Sequence, residues 1–486
     1  MPRIFGDLLK SVMTVPASSK IPKRRTLAAV LRRTMALVTA AAVSLAPLPT
    51  FAQERGPPLI RDAEIEQLLR DYTQPILRAA GLGQQNVQVV IINEPSFNAF
   101  VVDGRRIFIN TGALMDSTTP NQVIGVLAHE TGHIAGGHLA KLREQLARAQ
   151  TQAILATILG VGAVVAGATA GRNSSNNGLG SAGAAALSAP QEVIRRNILS
   201  YQRQQEESAD RAGVRFLNAT GQSPKGMYET FKRFSEQLLF LARGADPYSQ
   251  SHPMPVERVA ALEEFARTSP YWDKKDDASL QLRHDLMRAK ISGFMERPDT
   301  VLRRYPMSND TLPARYARAI AGYKHGDLRN AVAQIDALLQ VQPNNPYFHE
   351  LRGQALLEGG RPNEAIAPLR RAVQLSNNAP LIAMMLGQAL VGANNPALAD
   401  EAITILKSAL AREPEAPIGY TNLAMAYGRK GNYADADLAS AQAAFLRGDM
   451  KTARDLASRA KTRFAVGSPG WVKADDIVNT KLSEKR

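Results

Sequence analysis

The sequence predicts a mostly helical α+β domain with a small β-sheet, followed by an all-α solenoid of helix hairpins. Three observations lead there. A β-rich stretch between residues 87 and 110 is bracketed by segments of helical periodicity. Beyond about residue 305, small residues and prolines recur at a spacing of 34. At 486 residues the chain also exceeds what one core serves, so more than one domain is required.

The first 52 residues read as an export signal. Eight Lys/Arg and a single acid, Asp7, lie there, so about half of the formal net charge of +15 belongs to this segment. The basic region ends at Arg33 and an apolar run follows from Met35 to Leu48. Thr50-Phe51-Ala52 then offers small residues where a signal peptidase reads, with cleavage before Gln53. An uncleaved anchor is disfavoured because the run is shorter than the ~20 residues a bilayer needs. Arg24-Arg25 and Arg32-Arg33 also permit a twin-arginine route. The remaining chain is only moderately basic and has no basic stripe with interleaved aromatics, which argues against nucleic acid. With no cysteine, disulfides, lipidated Cys and thiolate sites are excluded. Any metal site must then draw on His and carboxylate.

Residues 61–81 carry an apolar face at Ile65, Leu68, Leu69, Tyr72, Ile76 and Leu77, the spacing of a helix. Val87–Ile92, Ala99–Val102 and Arg106–Asn110 read as strands, with Asp103-Gly104 as the hairpin turn between the last two. Thr118, Thr119 and Pro120 open a helix running through Val123, Val126 and Leu127. Ala153–Gly171 is an uncharged, Gly/Ala-rich stretch, and Asn173–Ala189 is a low-complexity segment expected to be mobile. A second long helix resumes near Val193, Ser223-Pro224 breaks it, and helices follow at about 225–242, 255–267 and 277–295.

In the C-terminal part Gly326 and Gly360, Ala331 and Ala365, Gly353 and Gly387, and Pro346 and Pro380 are each 34 apart. The next register is stretched to 37, from Ala365 to Ala402, Gly387 to Ala424 and Pro380 to Pro417. This is the period of tetratricopeptide hairpins, with small residues where paired helices touch and Pro ending the second helix of each unit. Gly448-Asp449 follows Gly431 by only 17 residues, so the helix at about 433–446 serves two successive units.

The chemistry concentrates in His129-Glu130-Thr131-Gly132-His133. Two His at i, i+4 project from one helix face and can hold one metal ion, while Glu130 beside them can accept a proton from an activated water. A zinc hydrolase needs a third protein ligand. Glu206-Glu207-Ser208-Ala209-Asp210 is the best source, since Glu206 and Asp210 lie i, i+4 on another helix. One can bind metal while the other holds a ligand imidazole, and Glu207 is the alternative ligand. His138 lies five residues past His133, some 140° around an ideal helix, and reads as a helix-end or supporting residue. His252-Pro253, with Arg258 nearby, forms a third cluster. His252 suits either the oxyanion of a tetrahedral intermediate or the metal's open position. Gly160-x-Gly162 lacks strand–helix context and implies no nucleotide.

Together these residues resemble the HtpX/CaaX-prenyl-type gluzincin metallopeptidases, most closely their periplasmic BepA-like branch with a tetratricopeptide tail. The resemblance spans nearly the whole mature chain. It rests on Asn98-Ala99-Phe100, the Gly104 hairpin, His129-Glu130-x-x-His133, Glu206-x-x-Ala209-Asp210, His252-Pro253 with Arg258, and the C-terminal repeats. It implies a zincin-like peptidase domain holding one zinc ion, with His129, His133 and Glu206 as ligands and Asp210 supporting them. It also implies Glu130 as general base, His252 as a regulatory or oxyanion-side residue, and Asn98, Ala99, Phe100 and Arg258 as substrate contacts. The strand at 98–102 becomes the edge to which a substrate strand adds. The expected activity is periplasmic endoproteolysis of misfolded or stalled outer-membrane proteins, the tetratricopeptide part docking on an outer-membrane assembly machine. A chaperone with a largely latent protease centre is the alternative.

The expected organisation is a signal peptide at 1–52, the peptidase domain at 53–268, connecting helices at 269–305, repeats at 306–466 and a C-terminal tail at 467–486. Within the peptidase domain, 153–190 reads as a lid or membrane-contacting insert. A single membrane crossing by Ala153–Gly171 is incompatible with Glu206 and His133 sharing one metal, which leaves a re-entrant hairpin, a peripheral membrane contact or a buried cover.

Overall fold

The computed structural model describes residues 58–151, 179–240 and 252–480, without the side chains of 179–198 and 237–240. The expected signal peptide and the Ala153–Gly171 stretch lie outside the described residues. Among the described residues no helix is long and apolar enough to cross a membrane.

Helix α1 (Ala63–Ala79) starts where Asp62 accepts a hydrogen bond from the Ile65 amide. Its predicted apolar face, Ile65 to Leu77, is at most 3% exposed. At about 1.5–3 kcal/mol for each large apolar side chain buried, that face fixes the helix more firmly than propensity does. Strands β1 (Leu59–Ile60), β2 (Gln88–Ile92), β3 (Ala99–Val101) and β4 (Arg106–Asn110) form one sheet in the order β1-β2-β4-β3. β2 and β4 run parallel, whereas β3 returns antiparallel to β4 with Phe100 opposite Phe108. The expected hairpin turn is present. Asp103 accepts from the Arg105 and Arg106 amides, and Gly104 adopts a φ of +73°, where only glycine is unstrained. β3 pairs on one side only, so its outer edge is open among the described residues.

Short α2 (Thr111–Asp116) leads from β4 into α3 (Pro120–Ala135), which carries the His129–His133 run. There follow α4 (residues 138–151), α5 (Leu179–Ala219), α6 (Lys225–Phe240) and α7 (Val256–Arg267). α3 packs against α5 and α6 at close range. A Cβ on Gly132 would lie 2.8 Å from the Ala209 carbonyl of α5, and one on Gly125 2.7 Å from Met227 Cα of α6. The segment read as low-complexity at Asn173–Ala189 is helical from Leu179 onward, and α5 therefore begins well before Val193. Ala184 to Leu187 are strong helix formers, and this outweighs the Gly and Ser between them.

α8 (Ala278–Met295) and α9 (Pro298–Arg304) lead into the solenoid. α8 serves two cores: Met287 and Ile291 join the core of the N-terminal domain, Leu286 and Ala289 the first solenoid core. Helix pairs follow as α10 (Leu312–His325) with α11 (Leu328–Val341), and α12 (Pro346–Glu358) with α13 (Pro362–Leu375). The next pairs are α14 (Pro380–Gly392) with α15 (Ala399–Arg412), and α16 (Pro417–Arg429) with α17 (Tyr433–Leu446). The repeating small residues sit at helix contacts as expected. Ala331, Ala365 and Ala402 are fully buried, and a Cβ on Gly353 would meet Leu369 at 2.4 Å. The repeating prolines differ from expectation. Pro346, Pro380 and Pro417 open the first helix of each unit, where the missing N–H costs nothing, rather than closing the helix before. α17 packs on both α16 and α18 (Met450–Lys461). The expected tail is also corrected: it contains α19 (Pro469–Asn479), whose Ala474 and Ile477 complete the last apolar cluster.

A buried ionic cluster joins α1, α8 and the solenoid. Lys290 Nζ lies 2.8 Å from Asp62, 3.2 Å from Glu64 and 3.6 Å from Glu350, while Tyr316 donates to Glu64 at 2.9 Å. Three carboxylates share one ammonium. Burial first, and then the Asp62 and Glu64 charges, push Glu350 up to about 7 against the pull of Lys290. The folded chain then holds a proton between about pH 4.5 and 7 that the unfolded chain has released, so stability falls as pH rises through that window. Glu350→Gln abolishes this loss. Urea unfolding is expected to place the variant above wild type by about 1–3 kcal/mol at pH 8 and level with it at pH 5.

Candidate metal centre

α3 presents His129, Glu130 and His133 to the interior. His129 and Glu130 are fully buried, and only a small part of His133 is exposed. α5 meets this face with Ala209 against Gly132, a contact close enough for Glu206 and Asp210 to reach the imidazoles. Glu206 Oε2 lies 3.3 Å from His129 Nε2, and Glu206 Oε1 lies 3.4 Å from His133 Nε2. The two Nε2 atoms are 3.0 Å apart. Asp210 takes the opposite side of His129, with Oδ1 2.9 Å from Nδ1. Glu207, the alternative to Glu206, is exposed on the far face of α5.

His252 arrives from the loop before α7. Its Nδ1 is 3.0 Å from Glu206 Oε2 and 3.3 Å from His129 Nε2, and its Nε2 is 3.5 Å from Glu130 Oε1. Arg258, expected among the substrate contacts, is instead buried behind the cluster. It forks Asp210 through Nε and Nη2 at 2.7 and 2.8 Å, reaches Glu206 at 2.9 Å and holds the Pro253 carbonyl. Its guanidinium thus fixes both carboxylates and anchors the turn that delivers His252. One residue beside the site carries no sequence signal. Phe231 of α6 sets its ring edge-on to His129 at 5.1 Å and lies under Arg258, with nothing in its neighbourhood of the chain to mark it. His138 approaches His133, with the two Nδ1 atoms 3.0 Å apart.

The donor set fits a cation. His129, His133, Glu206 and His252 each offer a ligand atom, all within 4.8 Å of one another. Imidazole nitrogens and carboxylate oxygens converge there, with Arg258 against one oxygen of Glu206 as the neighbouring protein cation. Burial works against a charged His129, yet the hydrogen bonds to Asp210 and Glu206 carry it up to about 9. Burial first, and then the neighbouring His129 and His252, drive His133 down to about 3 against the pull of Glu206, leaving it neutral. Glu206 is opposed by burial but held well below its ordinary range by His252 and the other imidazoles. Burial raises the Glu130 carboxyl, and neither of its oxygens has a hydrogen-bond partner.

A cleft of about 380 Å³ opens onto these residues. One wall is the sheet edge at Phe100, Val101 and Gly104; the other includes Leu139, Arg143 and Gln202. Phe100 stacks on Phe108 and faces the cleft. Ala99 is fully buried and can offer only backbone, and Asn98 precedes β3, its carbonyl accepting from the Asn110 amide.

Residues 60–266 match the model of peptidase family M48. A peptidase family M48 domain is followed here by tetratricopeptide repeats. The repeat model matches residues 316–380 and 384–437. The chain is 24% identical over 420 residues to the beta-barrel assembly-enhancing protease of Escherichia coli K12, covering 85% of this chain and 82% of that one. The protein of the same name from Yersinia pestis is 25% identical over 438 residues, covering 88% and 86%. A putative member from Vibrio cholerae is 22% identical over 297 residues, covering 60% and 58%.

Proposed function

We propose that this chain is a zinc-dependent endopeptidase of the periplasm that cleaves misfolded or stalled outer-membrane proteins. The observation that carries the chemistry is the convergence of His129, His133 and Glu206 beside the buried Glu130, at the foot of a cleft with an open strand edge. The client class rests on the name of the relatives, and the docking role on the repeats. The solenoid holds outer-membrane assembly partners while the peptidase domain takes the polypeptide.

His129, His133 and Glu206 would hold the zinc ion. When bound, zinc supplies Lewis acidity and an acidified water at neutral pH. Glu130 would take a proton from the water that adds to the scissile carbonyl carbon and return it to the amide nitrogen as the C–N bond breaks. Asp210 keeps His129 in the tautomer whose Nε2 lone pair faces the site. The backbone of β3 pairs with the substrate strand and fixes its register across the cleft. His252 serves the oxyanion side.

A second reading is favoured by one distance. His252 Nδ1 sits 3.0 Å from Glu206, within the ligand group itself, so it can also cap the site and keep the protease latent while the chain acts as an assembly factor. The full-length protein, assayed on unfolded casein, is expected to lose cleavage on chelation and to regain it with added zinc. Cleavage indifferent to chelation contradicts the enzyme reading. In the same assay His252→Ala raises cleavage if His252 is a latch and lowers it if it serves the oxyanion.

A further inference from the structure

His138 lies outside the expected ligand set, yet its place beside His133 is constructed. α3 ends at Ala135, Gly136 continues with φ −74°, and Gly137 turns the chain at φ +62°. This turn breaks the helical geometry that would carry His138 away from His133 and folds its ring back over Gly136. A Cβ on Gly136 would lie 2.1 Å from His138 Nε2, so the missing side chain is the space the imidazole occupies. The ring is 6% exposed and meets His133 edge-on, with centroids 5.0 Å apart.

We infer that His138 is a positioning residue that accepts a hydrogen bond from His133 Nδ1 and so aims His133 Nε2 at the metal. The inference rests on the zinc reading above. A neutral imidazole has one N–H. If His133 offers its Nε2 lone pair to the ion, its proton sits on Nδ1, 3.0 Å from His138 Nδ1. His138 must then present a lone pair there and carry its own proton on Nε2. The two ligand imidazoles are thus supported differently: His129 by the Asp210 carboxylate, His133 by a neutral imidazole. A neutral acceptor adds no negative charge to a site that already holds Glu130, Glu206 and Asp210. Ligand-supporting groups of this kind are worth about 10–100-fold in metal affinity.

The test is zinc competition against a chromophoric chelator, using the full-length protein, with thermal unfolding of the same metal-stripped samples. His138→Ala is expected to weaken zinc binding about 10–100-fold. His138→Asn, whose amide oxygen can take the place of Nδ1, should recover much of that loss. Gly136→Ala keeps His138 but drives its ring away, so it should weaken zinc similarly. Its backbone conformation accepts alanine, so the metal-stripped unfolding midpoint should be unchanged or higher. Wild-type zinc affinity in His138→Ala or in Gly136→Ala overturns the inference. So does a loss in His138→Ala that Asn does not recover, or one matched by an equal fall in the metal-stripped midpoint. If wild type itself binds no zinc, the zinc reading fails and the inference with it.

Discussion

Glu130→Gln is expected to lower kcat/KM on unfolded casein by about 10²–10⁴-fold while zinc content stays at the wild-type level. The amide keeps the shape of the side chain and removes only its capacity to take a proton. Both Glu130 oxygens are buried without a hydrogen-bond partner, and burial raises the carboxyl above its ordinary value, which makes it a stronger base. The same burial makes the carboxylate a cost to the fold. The thermal midpoint of Glu130→Gln should therefore equal or exceed that of wild type. A variant that cleaves at the wild-type rate refutes the assignment of the base.

Lys290→Met is expected to destabilise the full chain by about 3–5 kcal/mol, read from the midpoint of urea unfolding. Lys290 is the ammonium shared by Asp62, Glu64 and Glu350, and its burial is overcome by those three charges, which hold its pKa well above the ordinary range. Its removal strands carboxylates at the junction of α1, α8 and the solenoid. The Asp62 cap of α1 is among them. Adding Glu64→Gln and Glu350→Gln to Lys290→Met should return much of the loss, because the triple variant buries less uncompensated charge. A single-variant loss under about 1 kcal/mol would mean that water already screens the cluster.

Much of this architecture is legible locally. The i, i+4 histidines, the Asp103-Gly104 turn, the 34-residue recurrence and the apolar face of α1 are each set by interactions within a few residues or one repeat. Glu206 and Asp210 were also readable as a pair, since one helical turn puts both carboxylates on the same side. What escaped depends on contacts between distant segments. Nothing near Val89 says that β2 will lie parallel to β4, and nothing near Glu64 says that Lys290 and Tyr316 will close around it. Arg258 is a substrate contact by resemblance only; the fold turns it inward to the carboxylates of α5. Ideal helical geometry turns His138 away from His133 and leaves it a helix-end or supporting residue; the Gly136-Gly137 break is what brings the two rings together. The prolines of the repeats were assigned to the wrong helix because a Pro between helices suits the start of one as well as the end of another.

The central claim is that His129, His133 and Glu206 converge on one zinc ion. Anomalous diffraction from crystals of the full chain, recorded on both sides of the zinc absorption edge, tests it most directly. A single edge-dependent peak about 2.0–2.2 Å from both Nε2 atoms and a Glu206 oxygen is the predicted result. A zinc peak coordinated elsewhere, or none at these three residues in zinc-supplemented crystals, contradicts it.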